Sequence, residues 1–236
     1  MLAAQARAMQ PDIDELQRRI LGRDTALSGV VRLNTGHIMM RYLLADALAS
    51  FARQHSGIQI EVTEASALVD LSRRDADVAL RISHHVPEHL IGRPLGEAEF
   101  VVCAKREAEG LPHDIEPLAN LLSYRRWIGF ERDHSARFYE RWMNAHIGDD
   151  QVLLRIGQLH SMISMLHTGL GIGVLPRFAV RHEPGLAEVS EPIAELRTPV
   201  WLLTHPDLRG TARVHAFNQH LAEQVSGQLR DQTSIK

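Results

Sequence analysis

The sequence predicts an α/β protein built from two βαβ lobes in series. Short apolar runs alternate with segments in which apolar residues recur at helical spacing, which is typical of a parallel sheet covered by helices. The alternation occurs twice along 236 residues, a length that fits one large domain or two modest ones. No run approaches the roughly 18 uninterrupted apolar residues that a membrane span needs.

The composition is ordinary for a soluble globular protein, with 44% hydrophobic and 23% charged residues. The net charge of −3 at pH 7 gives no general attraction to nucleic acid. The single cysteine, Cys103, excludes an intrachain disulfide, and its place in the apolar run FVVCA favours a core position over a nucleophile. Because the N-terminus lacks the basic-then-apolar order of a signal peptide, we expect a cytoplasmic protein.

The first 23 residues predict a linker helix. Apolar residues recur at spacings of three and four from Leu2 to Ile20, which is the seam of a coiled coil or a helix pair. Pro11 interrupts this seam, or it begins a fresh helix over about 11–21. The helix could pack on a partner or on its own domain, and the pattern leaves both open.

The first lobe begins after Gly29. Strands are predicted at 30–33, 58–62 and 77–82, with a helix over 40–51 and a short helix that Ser66 would cap. This order is β-α-β-α-β, so we expect parallel strands.

The second lobe repeats this order. Strands are predicted at 100–104, 127–130, 153–156, 171–175 and 199–205, with helices at 117–122, 136–145, 162–169 and from Val214 onward. The polar chain after about residue 226 predicts a flexible tail. VVRLNTGHIMM and LLRIGQLHSMI both place a histidine five residues after the strand arginine. Unless that match is chance, His37 and His160 hold equivalent positions.

Three strand-to-helix junctions could bind a small anion: 34–37, 64–66 and 157–161. In open α/β sheets, ligands bind beyond the carboxyl ends of the strands, where helix N-termini present free N–H groups. Small and hydroxyl-bearing residues at these junctions let backbone donors approach a ligand. Each junction has a plain alternative, because threonine, serine and glycine are also what a helix cap needs.

Arg81 ends the third predicted strand and would face the same cleft. Its guanidinium could pair bidentately with a ligand carboxylate, or it could be satisfied by Asp75 or Asp77. These two interpretations remain open.

No catalytic motif is present. The sequence contains no G-x-S-x-G elbow, P-loop or H-E-x-x-H, and the glycines of GLGIG (169–173) precede a strand where a dinucleotide fingerprint opens a helix. His84, His85 and His89 are clustered, but Pro87 marks their segment as a loop, so no metal site is predicted. We expect no cofactor, no metal and no enzymatic activity.

Four segments in order resemble the effector-binding domain of LysR-type transcriptional regulators: FARQHSGIQIEVTEAS, LSRRDADVALRI, LIGRPLGEAEFVVCA and MLHTGLGIGVLPRFA. The resemblance covers about 24–225, and DADVALRI, LIGRPL and GLGIGVLP are its most specific parts. It implies two lobes joined by two crossing strands, as in type II periplasmic binding proteins, with a small molecule between them. The implied division is 1–23 as a dimerising linker helix, 24–104 plus 202–225 as lobe I, 105–201 as lobe II and 226–236 as a tail.

By motif, the family's ligand-contacting positions fall on residues that follow the strands: Thr35, Gly36, His37, Ser66, Arg81, Gln158 and Ser161. His37 brings a bulkier, titratable group to a neighbourhood where small hydroxyl residues are usual. The resemblance further implies a homodimer or tetramer that converts binding of a small effector, an organic anion by the chemistry of these junctions, into altered DNA binding.

One departure from the family concerns DNA. Members carry an N-terminal winged helix-turn-helix, and no segment of this sequence resembles one, so DNA contact is expected only through a domain absent from this chain. Two other functions compete with this interpretation. A solute-binding protein of a transport system is disfavoured by the missing signal peptide, and an enzyme with His37 or His160 as a base is disfavoured because no oriented nucleophile accompanies either.

Overall fold

A computed structural model describes residues 26–64, 76–131, 138–208 and 210–231 of the chain. The linker helix expected over 1–23 and the junction residue Ser66 lie outside these residues. Within the described part, no helix is long and apolar enough to cross a membrane.

Ten strands are present in the described part of the chain: β1 (Gly29–Thr35), β2 (Ile58–Glu64), β3 (Val78–Ile82), β4 (Ile91–Ala98), β5 (Phe100–Lys105), β6 (Trp127–Phe130), β7 (Val152–Ile156), β8 (Gly173–Pro176), β9 (Leu186–Glu188) and β10 (Thr198–Thr204).

Helix α1 is continuous over three pieces: an α-helical turn (His37–Met39), a π-helical turn (Met40–Leu44) and an α-helix (Ala45–Gln54). The other helices are α2 (Leu118–Leu122), α3 (Phe138–His146), α4 (Leu159–His167), α5 (Arg177–Arg181) and α6 (Ala212–Asp231), and 3-10 turns lie at Asp149–Gln151, Ala194–Leu196 and Pro206–Leu208.

Lobe I contains a five-stranded sheet in the order β2-β1-β3-β10-β4. Strands β1, β2 and β3 are parallel, whereas β10 is antiparallel to both of its neighbours. Helices α1 and α6 pack together, with the rings of Phe51 and Phe217 in an edge contact at 5.0 Å. Both rings are fully buried, so this contact belongs to the core of the lobe.

Lobe II repeats the arrangement of lobe I. Strand β5 lies between β8 and β9 and is antiparallel to both, and β6 and β7 form a parallel pair. A parallel bridge from Trp127 to Ile172, the residue before β8, places β6 next to β8. The order is therefore β7-β6-β8-β5-β9, which matches the lobe I order strand for strand, with β6 in the place of β1 and β7 in the place of β2.

The chain crosses between the lobes twice, at Glu99 and again at Arg197. Consequently β5 belongs to lobe II and the whole of β10 to lobe I, whereas the predicted boundaries at 104 and 202 put β5 in lobe I and split β10. The two strands are also antiparallel to their neighbours, although we expected parallel strands. An apolar run shows that a strand is buried, but it does not show which sheet the strand joins.

Strand β4 is an element that the sequence patterns did not predict. Its sequence IGRPLGEA holds two glycines and a proline, and it lies at an edge of the lobe I sheet. An edge strand tolerates proline because one side of its backbone does not pair within the sheet.

The end of the chain also differs from the prediction of a flexible tail from 226. Helix α6 continues to Asp231, and it buries Val225 and Leu229. Leu229 packs over Gly96 of β4, so a surface of the sheet holds the last turns of the helix. Residues 232–236 lie outside the described part of the chain.

The glycines of GLGIG serve the fold. Gly169 follows the end of α4 with a φ of +74°, in the left-handed region where glycine closes a helix at little steric cost. At Gly171 a Cβ atom would collide with the carbonyl oxygen of Arg126. Cys103 is fully buried, as predicted. Burial is the main cause, and the nearby charge of Glu188 a smaller one, of the raised pKa of its thiol.

Candidate functional site

Two helices begin opposite each other where lobe I meets lobe II. Helix α1 follows β1 through Gly36, and α4 follows β7 through Gln158. The rings of His37 and His160, each in the first turn of its helix, lie 5.5 Å apart between centroids with their planes at 70°. The two helix N-termini are therefore brought together across the lobes.

The histidines are partners rather than equivalents. Strand β1 is an interior strand between β2 and β3, whereas β7 pairs with β6 at the edge of its sheet. The topological counterpart of β1 is β6, so the interpretation that His37 and His160 hold equivalent positions is wrong. The repeated histidine marks two different helices that meet at one place.

The N-cap residue of neither helix caps it through a side chain. Gly36 and Gln158 are the N-cap residues, both are extended, and neither gives a side-chain hydrogen bond to its helix. The glycine N-cap of α1 fits the capping alternative at 34–37, whereas at 157–161 the N-cap is a glutamine that makes no side-chain cap. Ser161, in the first turn of α4, donates its backbone N–H to the carbonyl of Gln158 at 3.1 Å. Each helix dipole presents its positive end here.

The residues below the α1 start are buried and polar. Thr35 is fully buried, and its hydroxyl has no hydrogen-bond partner among the residues that the structure describes. Asn34 donates its side-chain amide to the carbonyl of Thr63 at 3.2 Å. An unsatisfied buried hydroxyl costs about 1–3 kcal/mol, a cost that a ligand or a water at this position would remove.

Arg81 lies under the same turn. Its Nη1 donates to the carbonyls of Asn34 at 3.1 Å and Leu80 at 2.9 Å, and its Nη2 donates to the side-chain oxygen of Asn34. Burial lowers the pKa of Arg81 to about 10, so the guanidinium is still charged at neutral pH. Asp77 accepts the backbone N–H of Arg32 at 2.8 Å, and Asp75 lies outside the described residues.

Two glutamates stand at the carboxyl ends of strands. Glu64, the last residue of β2, lies 2.6 Å from Nδ1 of His37 through its Oε2. The carboxylate of Glu131, which follows β6, lies next to Gly157. Glu64 was predicted only as part of a junction, and Glu131 was missed, although its position directly after the strand WIGF could have indicated it. Among the described residues, no group of three potential ligands could hold a metal ion.

Comparison of the sequence with known protein families identifies the family of this chain. The model of the LysR substrate binding domain matches residues 24–226 of the chain. The chain belongs to the LysR family. The "Uncharacterized HTH-type transcriptional regulator YhjC" of Escherichia coli K12 is 26% identical over 226 residues, covering 92% of this chain and 75% of that protein.

Solved structures show the same fold. The reduced regulatory domain of OxyR2 from Vibrio vulnificus superposes with a TM-score of 0.66 at 20% identity, over 86% of this chain and 97% of that one. CrgA from Neisseria meningitidis, a LysR-type transcriptional regulator, gives a TM-score of 0.68 at 22% identity, over 94% and 77%. The predicted architecture of two lobes of the type II periplasmic-binding-protein kind is thereby confirmed.

The sequence patterns also did not indicate Glu183, which joins the two lobes. Glu183, between α5 and β9, accepts hydrogen bonds from the hydroxyl of Tyr42 at 2.5 Å, from Nη2 of Arg41 at 2.9 Å and from Nε2 of His167 at 2.8 Å. Burial alone would raise the pKa of Glu183, but the hydrogen bonds from Tyr42 and His167 bring it below its ordinary value. Arg41 and Tyr42 belong to lobe I, and Glu183 and His167 belong to lobe II.

Proposed function

We propose that this LysR domain is a sensor that binds a small organic anion between its lobes, at the N-termini of α1 and α4. The observation that carries the proposal is the meeting of His37 and His160 at two helix starts whose N-cap residues make no side-chain cap. Membership of the family supports the regulatory role. The proposed contacts are Thr35, Gly36, His37, Arg81, Gln158 and Ser161, and Ser66 is included from the motif alone.

The charges near the site favour a ligand with one anionic group. Helix N-termini attract anions, and the buried guanidinium of Arg81 adds a positive charge beneath Asn34. Glu64 and Glu131 act against a second negative charge. A carboxylate that also carries a hydroxyl or amino donor would match both helix starts and direct its donor toward the glutamates.

Binding would shift the balance between pre-existing arrangements of the two lobes. In a homodimer or tetramer of the whole regulator, in the cytoplasm, that shift would change DNA binding by the helix-turn-helix domain. The role is binding without turnover, and it needs no cofactor.

The test is a screen of hydroxy, amino and simple carboxylates, with sulfate included, by thermal unfolding and calorimetry. A compound present at 100 times its Kd should stabilise the protein by about 2.7 kcal/mol, which is roughly 5–11 °C for a chain of this size. His37→Ala and Gln158→Ala should each weaken binding of that compound at least tenfold.

His113→Ala is the matched control, because His113 is an exposed histidine on the connection between β5 and α2. The proposal fails if no compound raises the unfolding temperature, or if binding survives both cleft substitutions. Recovery of the bound compound in chemically altered form would show that the protein is an enzyme and not a sensor.

A further inference from the structure

We propose that Glu183 is a positioning residue for the effector site: its carboxylate ties α1 of lobe I to α4 of lobe II and so fixes the separation of the two helix starts. This inference rests on the proposed function, because it concerns the same cleft. It assigns a role to a residue that contacts neither helix N-terminus.

The carboxylate bridges the lobes through three donors. Tyr42 and Arg41 approach from the π-helical turn of α1, and His167 approaches from the last turn of α4. Glu183 and Tyr42 are buried, so the hydrogen bond between them is shielded from water, whereas 67% of the Arg41 side chain is exposed. The Tyr42 bond is therefore the stronger element of the bridge.

The groups around the Glu183 carboxylate are arranged as the bridge requires. Burial and the neighbouring Glu183 raise the pKa of Tyr42, which keeps its hydroxyl a donor at neutral pH. The guanidinium of Arg41 lies 5.1 Å from the centre of the Tyr42 ring, and the ring of His182 lies 6.0 Å from it on the side of lobe II. The nitrogen Nδ1 of His182 lies 2.7 Å from the carbonyl oxygen of Phe178, so the contact made by this nitrogen is within lobe II.

The bridge and the site share the same two rigid elements. His37 and Tyr42 lie five residues apart on α1, so the bridge is about 8 Å along the helix from the site. His160 and His167 lie seven residues apart on α4, or about 10 Å. Because helices transmit position over such lengths, an anchor at Tyr42 and His167 determines where His37 and His160 stand.

The π-helical turn has a role in this geometry. A π turn inserts one residue into an α-helix and changes the direction of the side chains within it, and such turns recur at functional positions. In α1 the turn spans Met40–Leu44 and carries both Arg41 and Tyr42. It thus presents the two donors to lobe II while Leu43 and Leu44 are buried in the core.

The experiment measures the distance between the lobes in the protein without effector. Spin labels are placed through Gln59→Cys on β2 and Leu153→Cys on β7, which are exposed positions on the two lobes, and the native Cys103 is buried and should not react. In the Glu183→Gln variant the distribution of label distances should be about twice as broad as in the parent, or displaced, because the neutral amide cannot accept from all three donors.

Glu188→Gln is the matched control. Glu188 is a part-buried carboxylate of lobe II whose partners Arg177 and Arg181 are in the same lobe. It should lower stability without changing the label distances. The inference is overturned if Glu183→Gln leaves the distribution unchanged, or if Glu188→Gln broadens it equally.

Tyr42→Phe provides an independent arm if Glu183→Gln does not fold. It removes the hydroxyl and keeps the ring, and it should broaden the distribution, though less than Glu183→Gln. An unchanged distribution in Tyr42→Phe would also overturn the inference. Because no effector is needed, this outcome is separate from the carboxylate screen: the bridge can fail while a ligand is found, or hold while none is.

Discussion

Replacement of Glu99 by glutamine should destabilise the protein more than any exposed carboxylate change, because Glu99 sits where the chain crosses from lobe I to lobe II. It is 4% exposed and accepts from Nη1 of Arg177 at 3.0 Å and from Nη2 of Arg197 at 3.1 Å. Arg197 occupies the second crossing. A single carboxylate therefore joins both crossing segments to the start of α5.

The magnitude follows from the two bonds. A hydrogen bond to a charged group is worth about 1.5–3 kcal/mol, and glutamine can keep at most one acceptor here while its amide nitrogen faces a second donor. Arg177 retains Glu188, at 2.9 Å, which limits the penalty on that side. The side chain of Arg197 is 49% exposed, so water replaces part of its lost partner. Together these give a loss of about 3 kcal/mol, or roughly 6–12 °C in unfolding temperature.

Urea unfolding followed by fluorescence and circular dichroism would measure this loss. Glu97→Gln is the control, because the side chain of Glu97 is 57% exposed and its contact with Arg197 is long, at 3.8 Å. It should change the free energy of unfolding by less than about 0.5 kcal/mol. A loss below about 1 kcal/mol for Glu99→Gln, or equal losses for both variants, would show that the crossing does not depend on this buried carboxylate.

Three further predictions concern single positions. Gly171→Ala should lower stability by about 2–3 kcal/mol, since the new methyl collides with the carbonyl of Arg126. Gly210→Ala should change stability by under about 0.5 kcal/mol in the same urea titration, because its methyl would meet no other described residue within 4 Å beyond its chain neighbours. Gly227→Ala, within α6, should raise stability by about 0.5–1 kcal/mol, because its methyl would have open space among the described residues, and a lower unfolding midpoint would contradict the helix there. Folding lowers the pKa of Glu183, so its ionised form stabilises the protein at pH values above the ordinary value of 4.5, and this contribution is lost as the pH falls through the folded pKa. On acidification, the unfolding temperature of Glu183→Gln should therefore fall less than that of the parent. Parallel curves of unfolding temperature against pH would refute this.

The elements of the fold were largely predictable because most of them bury an apolar run. The strand WIGF was predicted at 127–130 and is observed as Trp127–Phe130, and all four of its residues are buried. What the patterns did not provide was pairing. The residues that pair with β5 lie about 70–85 residues along the chain, and no local feature of FVVCA indicates that it crosses into lobe II.

The site divides in the same way. Thr35, Gly36, His37, Gln158 and Ser161 were predicted from strand-to-helix junctions, and the structure brings the two junctions together. The burial of Arg81 against Asn34 was not predicted, because it depends on the lateral pairing of β1 with β3. Glu183 was missed altogether. It follows a short helix with no periodic pattern, and its partners Tyr42 and His167 are 141 and 16 residues away.

Glu99 and Glu183, two of the buried glutamates, show how such a domain can move without losing its integrity. Glu99 is held by arginines at the crossing segments and α5, which are the parts that any relative motion of the lobes must share. Glu183 is held partly by the opposite lobe, through Tyr42 and Arg41. A rotation about the crossings would preserve the first set of bonds and change the second. An effector bound at the proposed site would then act on the balance of the Glu183 bridge, because that site lies at the first turns of the same two helices. The two substitutions should therefore be nearly additive in stability and distinct in geometry: Glu99→Gln should lower the unfolding midpoint, whereas Glu183→Gln should change the distance between the lobes.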